Sequence, residues 1–201
     1  PVGISVGAIF GVFRAASLAG VASGEQMVGA AYAVFSASLQ FVSAGLGGGP
    51  AGGPADGRAG GGVRVEQYDF RAGAFRLVKP AHRQPAVGKT YCINEGSAKN
   101  WCPTVAAFVA ERMKGRSIRW ACCMVVDVHR PLMQGGSFLY PADKKYTQGR
   151  LRLVYEAYPM AFLWEAASPG AGGSADGAGA GAGAGGAGAA AGNLALATVA
   201  G

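Results

Sequence analysis

The sequence is poor in residues that hold metals or form cross-links. It has two histidines, His82 and His129, and four cysteines, Cys92, Cys102, Cys122 and Cys123. No two cysteines stand as C-x-x-C, so a zinc site is not expected. The adjacent Cys122 and Cys123 read as small buried hydrophobes, and a reducing compartment is the default. Charge is also scarce, at 14% of residues, with no run of five like charges. That spacing argues against a polybasic tail and for discrete contacts. Acids are the rarer sign, 11 against 18 Lys and Arg, which leaves a net charge of +7.

The charge that is present is unevenly placed. Of the 18 Lys and Arg, 16 lie between Arg64 and Arg152, and the same window carried to Glu156 holds seven acids. A basic surface of this kind attracts anions: nucleic acid, an acidic membrane or a phosphorylated small molecule. Aromatic residues are not interleaved with the basic ones as in a nucleic-acid module, so nucleic acid is not expected as a partner. The stretch from Gln26 to Ala55 carries no charge. Gln40, several serines and a drift into Gly and Pro dilute it, so it does not read as a membrane span. No cationic leader precedes PVGISVGAIFGVF, and the beginning of the chain is expected to lie elsewhere.

Two stretches cannot bury enough apolar surface to offset their ordering entropy. Residues 44–62 are almost all Gly, Ala and Pro, and residues 168–192 are Gly and Ala with one Asp, one Pro and two Ser. Both are expected to be disordered. What remains, roughly 150 residues, is enough for one core. The expected division is a domain over 1–167, interrupted by a 44–62 insertion, and a low-complexity tail over 168–201.

Along the chain, Ile4–Phe13 reads as a buried strand. Glu25–Phe35 has Met27, Val28, Ala31, Tyr32 and Phe35 at helical spacing, with Ser23 placed as an N-cap, and predicts a helix. Leu39–Ser43 predicts a strand. Val63–Tyr68 and Ala74–Lys79 predict a hairpin turning at Asp69–Gly73, and Lys79–Lys89 a loop. Pro103–Met113 and Ala121–Met133 predict helices. Ser137–Tyr140 predicts a short strand, and Pro159–Ala167 a last helix. Alternating strands and helices give an α/β class. Gly88-Lys89-Thr90 resembles the end of a phosphate-binding loop. Arg83 stands where that motif needs glycine, and no strand precedes it, so the match is discarded.

Four segments between Tyr91 and Glu156 carry more: INEGSAK, M-V-x-D-V-H-R, GG-x-F-LYPA and G-x-LRL-x-YE. In order and spacing they resemble fructose-1,6-bisphosphatase. ISVGAIFGVFR, VGAAYAVF and YDFRAGAFRLV fit the same family, so the resemblance covers Ile4–Val42 and Val63–Glu165. It implies the C-terminal half of a layered α-β-α sandwich. The implied activity is hydrolysis of fructose 1,6-bisphosphate to fructose 6-phosphate and phosphate, with bound magnesium ions (Mg2+). A homo-oligomer is implied for the complete protein.

The same resemblance assigns roles. Asn94 and the hydroxyl of Tyr140 are expected to donate to the 6-phosphate. Arg119 matches an arginine that reaches a neighbouring subunit's 6-phosphate. The backbone at Met124 is expected against the sugar. Arg150 replaces a lysine that approaches the sugar and its phosphate, and Glu156 matches a carboxylate that holds catalytic metal. Ser97 and Trp120 stand where the family has tyrosines that meet the phosphate. Indole offers one N–H from a different place, and guanidinium keeps the charge of lysine but not its geometry.

The family's other metal ligands, paired glutamates and a D-P-L-D-G-S-S motif, belong before Ile4 and outside the sequence. Residues 1–201 alone are therefore expected to show little or no phosphatase activity. A second expectation is a non-catalytic relative that binds sugar phosphate or pairs with an intact subunit. The family's chloroplast type carries a cysteine-bearing insertion between the positions of Phe13 and Met27. This chain has no cysteine there, which favours the cytoplasm over the chloroplast stroma.

Overall fold

A computed structural model describes residues 3–14, 18–20, 23–45 and 64–168 and the strand at 194–195. Five strands form the first sheet: β1 (Val6–Phe13), β2 (Met27–Phe35), β3 (Leu39–Ala44), β4 (Val65–Arg71) and β5 (Ala74–His82). They lie in chain order, each antiparallel to the next. The second sheet is parallel, in the order β7 (Ser117–Ile118), β6 (Thr90–Cys92), β8 (Ser137–Leu139) and β9 (Leu194–Ala195). Among the described residues, three α-helices accompany the sheets: α1 (Pro103–Arg112), α2 (Met124–Gln134) and α3 (Tyr158–Ala167). The mixture is the expected α/β class.

Helices α2 and α3 lie between the sheets. The inner face of the first sheet supplies Tyr32, Val34, Val42 and Val65 to a core with Val128, Leu132, Met160, Leu163 and Trp164. Cys92 and Phe138 of the second sheet close the same core from the other side. A smaller core under α1 joins Tyr91, Ile93 and Leu139 to Val109 and Met113. The second sheet is thus apolar on both faces, as parallel strands require.

The outer face of the first sheet is different. Val6, Phe10, Val12, Phe35, Phe70, Phe75 and Leu77 share it by strand register, and each is between 40% and 50% exposed. Among the described residues no helix covers it. Phe41, Tyr68, Phe70 and Phe75 contact one another on this face, with ring centroids 5.2 to 6.2 Å apart.

The structure corrects several expectations. The 25–35 helix is a strand: Ser23 does cap, with a capping box, but only a single 3₁₀ turn at Gly24–Gln26, and β2 follows directly. The run is apolar at nearly every position, so spacing alone could not separate the two periods. Pairing with β1 on one edge and β3 on the other decides for strand. The hairpin is present but turns tightly at Ala72-Gly73, both at positive φ (50° and 80°), the geometry a two-residue hairpin demands. Strand β5 continues to His82 through Pro80, which an edge strand tolerates because no ladder donor is lost. Cys122 is exposed and at positive φ (59°), not a buried hydrophobe; Cys92 is the fully buried thiol. Leu153–Ala157 is a π-helical turn leading into α3.

Residues 46–63 and most of 169–201 lie outside the described residues, so the readings of those stretches as insertion and tail fall there too. Within the tail, β9 pairs in parallel with β8, a strand the composition of the tail gave no reason to expect. No helix among the described residues is long and apolar enough to cross a membrane.

Candidate functional site

The site lies at the ends of β6 and β8, where two parallel strands deliver their next residues side by side. Strand β6 passes through Ile93 to Asn94, which opens a 3₁₀ turn at Glu95–Asn100. The turn is tied back by the Tyr91 hydroxyl, which donates to Glu95 Oε1 at 2.6 Å. That bond, with burial, pushes the Tyr91 phenol up to about 12. The Asn94 amide makes no capping hydrogen bond to this turn. Strand β8 runs into Tyr140, whose ring meets Trp120 at 5.7 Å and Phe138 at 6.4 Å. Its hydroxyl has no hydrogen bond among the described residues.

These two strand ends and the loop after Pro141 enclose a hollow of about 10 Å³, room for one water-sized body. Asn94, Ser97 and Trp101 line one side. Tyr140, Asp143 and Arg150 line the other. Asp143 places a carboxylate at the rim, but its Oδ1 accepts from the backbone N–H of Lys145 and of Tyr146, each at 2.8 Å. The acid is spent on the loop. Arg150 makes no ion pair among the described residues, and its guanidinium carbon lies 3.6 Å from the Tyr146 ring centroid.

Of the six residues the sequence singled out, the structure brings Asn94, Tyr140 and Arg150 to this hollow. Arg119 lies outside its lining and is exposed at the end of β7, where its Nη1 donates to the Ile118 carbonyl at 2.7 Å. Met124 begins α2 and packs against the main core. The preceding loop is held by buried Asp127, whose Oδ1 accepts from the Ala121 N–H at 2.7 Å and whose carboxyl is raised above its usual range chiefly by burial. Glu156 accepts from both the backbone N–H (2.7 Å) and Nη1 (3.2 Å) of Arg152. Sequence reasoning missed Trp101, Asp143 and Tyr146. An Asp followed three residues on by Tyr in a Lys-rich loop was the available signal for an Asx turn.

The magnesium implied by the resemblance finds no fitting site in these residues. A hard divalent cation takes several oxygen ligands. Glu156 offers one carboxylate, already engaged by Arg152, and no group of three His, Cys, Asp or Glu that could hold a metal occurs among the described residues.

Comparison with known proteins bears on the family. Residues 84–180 match the family described as Fructose-1-6-bisphosphatase, C-terminal domain. The cytosolic fructose-1,6-bisphosphatase of Oryza sativa subsp. indica is 38% identical over 178 residues, 82% of this chain and 48% of the relative. That of Spinacia oleracea is 38% identical over 177 residues, with the same coverage. The crystal structure of Leishmania major fructose-1,6-bisphosphatase in apo form superposes with a TM-score of 0.66 at 30% identity, covering 82% of this chain and 53% of that one. The chain spans about half the length of the curated relatives it matches. Fold, motif order and these matches agree, and the chain belongs to the fructose-1,6-bisphosphatase family, of which it carries the C-terminal half.

Proposed function

We propose that this chain is the sugar-phosphate-binding side of a fructose-1,6-bisphosphatase and grips the 6-phosphate of fructose 1,6-bisphosphate or fructose 6-phosphate. The observation that carries the reading is that Asn94, Tyr140 and Arg150 line one hollow, too small inside for more than a water, so that the phosphate would sit at its mouth. A phosphate dianion calls for several donors. Guanidinium gives a charge-assisted, bidentate pair, while the amide of Asn94 and the phenol of Tyr140 are neutral donors that fix orientation. The one carboxylate lining the hollow, Asp143, accepts at Oδ1 from two backbone N–H groups, which turn it toward its own loop, and the Arg150 cation opposes its charge at the hollow.

Hydrolysis of the 1-phosphate belongs to the same reading. The family's metal ions would generate the attacking hydroxide and neutralise charge on the phosphoryl group. The described residues do not fit such ions, so for residues 1–201 alone the proposal is binding with little or no turnover. The cytosolic names of the relatives support a cytoplasmic setting, and a homo-oligomer completed across subunits is part of the reading.

Calorimetry with fructose 6-phosphate tests the binding step. Saturable heat is expected, and Arg150→Ala should weaken affinity about tenfold, the loss of one charge-assisted contact of ~1.4 kcal/mol. No heat with the intact chain, or unchanged affinity in the variant, would sink the assignment. Phosphate release from fructose 1,6-bisphosphate with magnesium checks the second step. Turnover within about tenfold of a full-length family enzyme, a barrier difference of roughly 1.4 kcal/mol, would show that residues 1–201 hold the metal after all.

A further inference from the structure

Arg150 is exposed at the mouth of the hollow, on a long side chain that loses much rotamer freedom when fixed. Something has to hold it before it can be a good phosphate donor. Its neighbour is the face of Tyr146, 3.6 Å from guanidinium carbon to ring centroid. Lys145 approaches the same ring, with Nζ at 5.4 Å. A ring face is electron-rich, so it attracts both cations and draws them toward one spot.

Tyr146 itself is firmly seated. Its N–H donates to the Asp143 carbonyl at 3.1 Å as well as to Asp143 Oδ1 at 2.8 Å. Its carbonyl accepts from Asp143 N–H at 3.1 Å and from Gly149 N–H at 2.9 Å. The loop is pinned to the far end of the Asn94 turn, where Lys144 N–H donates to the Asn100 carbonyl at 2.9 Å. The ring is thus fixed relative to Asn94 by a short run of backbone bonds.

We propose that Tyr146 is a positioning residue that stacks on Arg150 and fixes its guanidinium at the mouth of the Asn94–Tyr140 hollow, where its in-plane N–H donors meet the phosphoryl group. The proposal rests on the sugar-phosphate reading above. Stacking occupies only the π face of guanidinium and leaves the edge donors free for oxygen. Tyr146 never touches the ligand; it reduces the freedom Arg150 loses on binding.

The test uses the full chain, with Tyr146→Phe, Tyr146→Ala, Arg150→Ala and the double variant Tyr146→Ala/Arg150→Ala. Tyr146→Leu, which keeps bulk without a ring, replaces the alanine variant if that fails to fold. Two readouts are taken: the Arg150 Nε–H resonance, assigned by its disappearance in Arg150→Ala, and dissociation constants for fructose 6-phosphate and for fructose. A ring-current shift is expected in the parent and in Tyr146→Phe, and its loss in Tyr146→Ala. Tyr146→Ala should weaken fructose 6-phosphate about threefold to fivefold, the size of a surface cation–π contact. Fructose affinity should stay unchanged, Tyr146→Phe should behave as the parent, and the double variant should bind no worse than Arg150→Ala. An unshifted Arg150 resonance in the parent, or a Tyr146→Ala chain that binds fructose 6-phosphate as the parent does, overturns the proposal. So does an equal loss for fructose, or a Tyr146→Ala penalty that persists without Arg150. If the parent binds no fructose 6-phosphate, the sugar-phosphate reading falls and inorganic phosphate decides the positioning role. Phosphate should then move the Arg150 resonance in the parent and Tyr146→Phe but not in Tyr146→Ala; equal movement in all three overturns it.

Discussion

Acidification from pH 7 to pH 4 is expected to cost the folded chain about 3 kcal/mol through His129 alone. Its Nδ1 lies 2.9 Å from the Tyr32 hydroxyl, in a hydrogen bond whose direction follows the ring's tautomer. Burial, first, and then the nearby positive charges of Lys79 and His82, push the imidazole down to about 4 from its ordinary 6.5, against a smaller pull upward from Asp69. The folded state therefore binds fewer protons than the unfolded chain between pH 6.5 and about 4. Stability is full above that window and falls as pH drops through it, by ~1.4 kcal/mol per unit at most. His82 acts in the same direction: its Nε2 contacts the Leu132 carbonyl at 2.9 Å, and burial lowers its pKa. Asp127 acts the other way, since burial raises its carboxyl and acid relieves it; Glu165 is raised in the same sense but is exposed, so it adds less. A hollow of about 450 Å³ beside His129 gives protons a route to the ring. Denaturant melts at pH 7, 5.5 and 4 read the effect. His129→Gln keeps a hydrogen-bonding partner for Tyr32 and should flatten most of the slope; an unchanged slope would refute the assignment.

Trp164→Ala is expected to cost about 4 kcal/mol, the range of a large aromatic removed from a closed core. Trp164 is 2% exposed in α3 and packs in the core between the sheets, among the largest fully buried side chains. Its indole Nε1–H has no partner among the described residues. That orphan donor separates two contributions. Trp164→Phe loses some packing but also removes an unsatisfied N–H, a burden of ~1–3 kcal/mol. The phenylalanine variant should therefore lose under about 1.5 kcal/mol, well short of the alanine variant. Chemical denaturation measures both. Equal losses would mean that the indole donor finds a partner and that packing alone does not set the cost.

What the sequence made legible was what short motifs carry. INEGSAK and GGSFLYPA put Asn94 and Tyr140 at the ends of strands, and the structure brings both to one hollow with Arg150. What it could not show were properties of two distant segments at once. β2 was misread because its pairing partners, β1 and β3, are not encoded in its own spacing. The Tyr146–Arg150 stack was missed because three residues of loop separate its members, and only the turn closed by the Gly149 N–H on the Tyr146 carbonyl brings one onto the other. Gly88 is the sharpest case. Read as the end of a phosphate loop, it was rightly discarded, yet it is not idle. A Cβ there would lie 2.0 Å from backbone atoms of Gly135 and Gly136, so the glycine lets two chain segments touch. Its partner glycines lie more than forty residues away, beyond any local pattern.

The apolar face of the first sheet, which no helix covers among the described residues, has a consequence for how copies of this chain meet in solution. At short range that face makes them attract, because water gains when two such patches close together. At long range the net charge of +7 makes them repel. The two reach over different distances, and salt changes only one. In dilute buffer the repulsion extends tens of ångströms; at physiological ionic strength it is cut to about 8 Å, and the attraction remains. Copies of this chain should therefore stay apart best when ions are few, and the sign of their mutual interaction should turn with added salt.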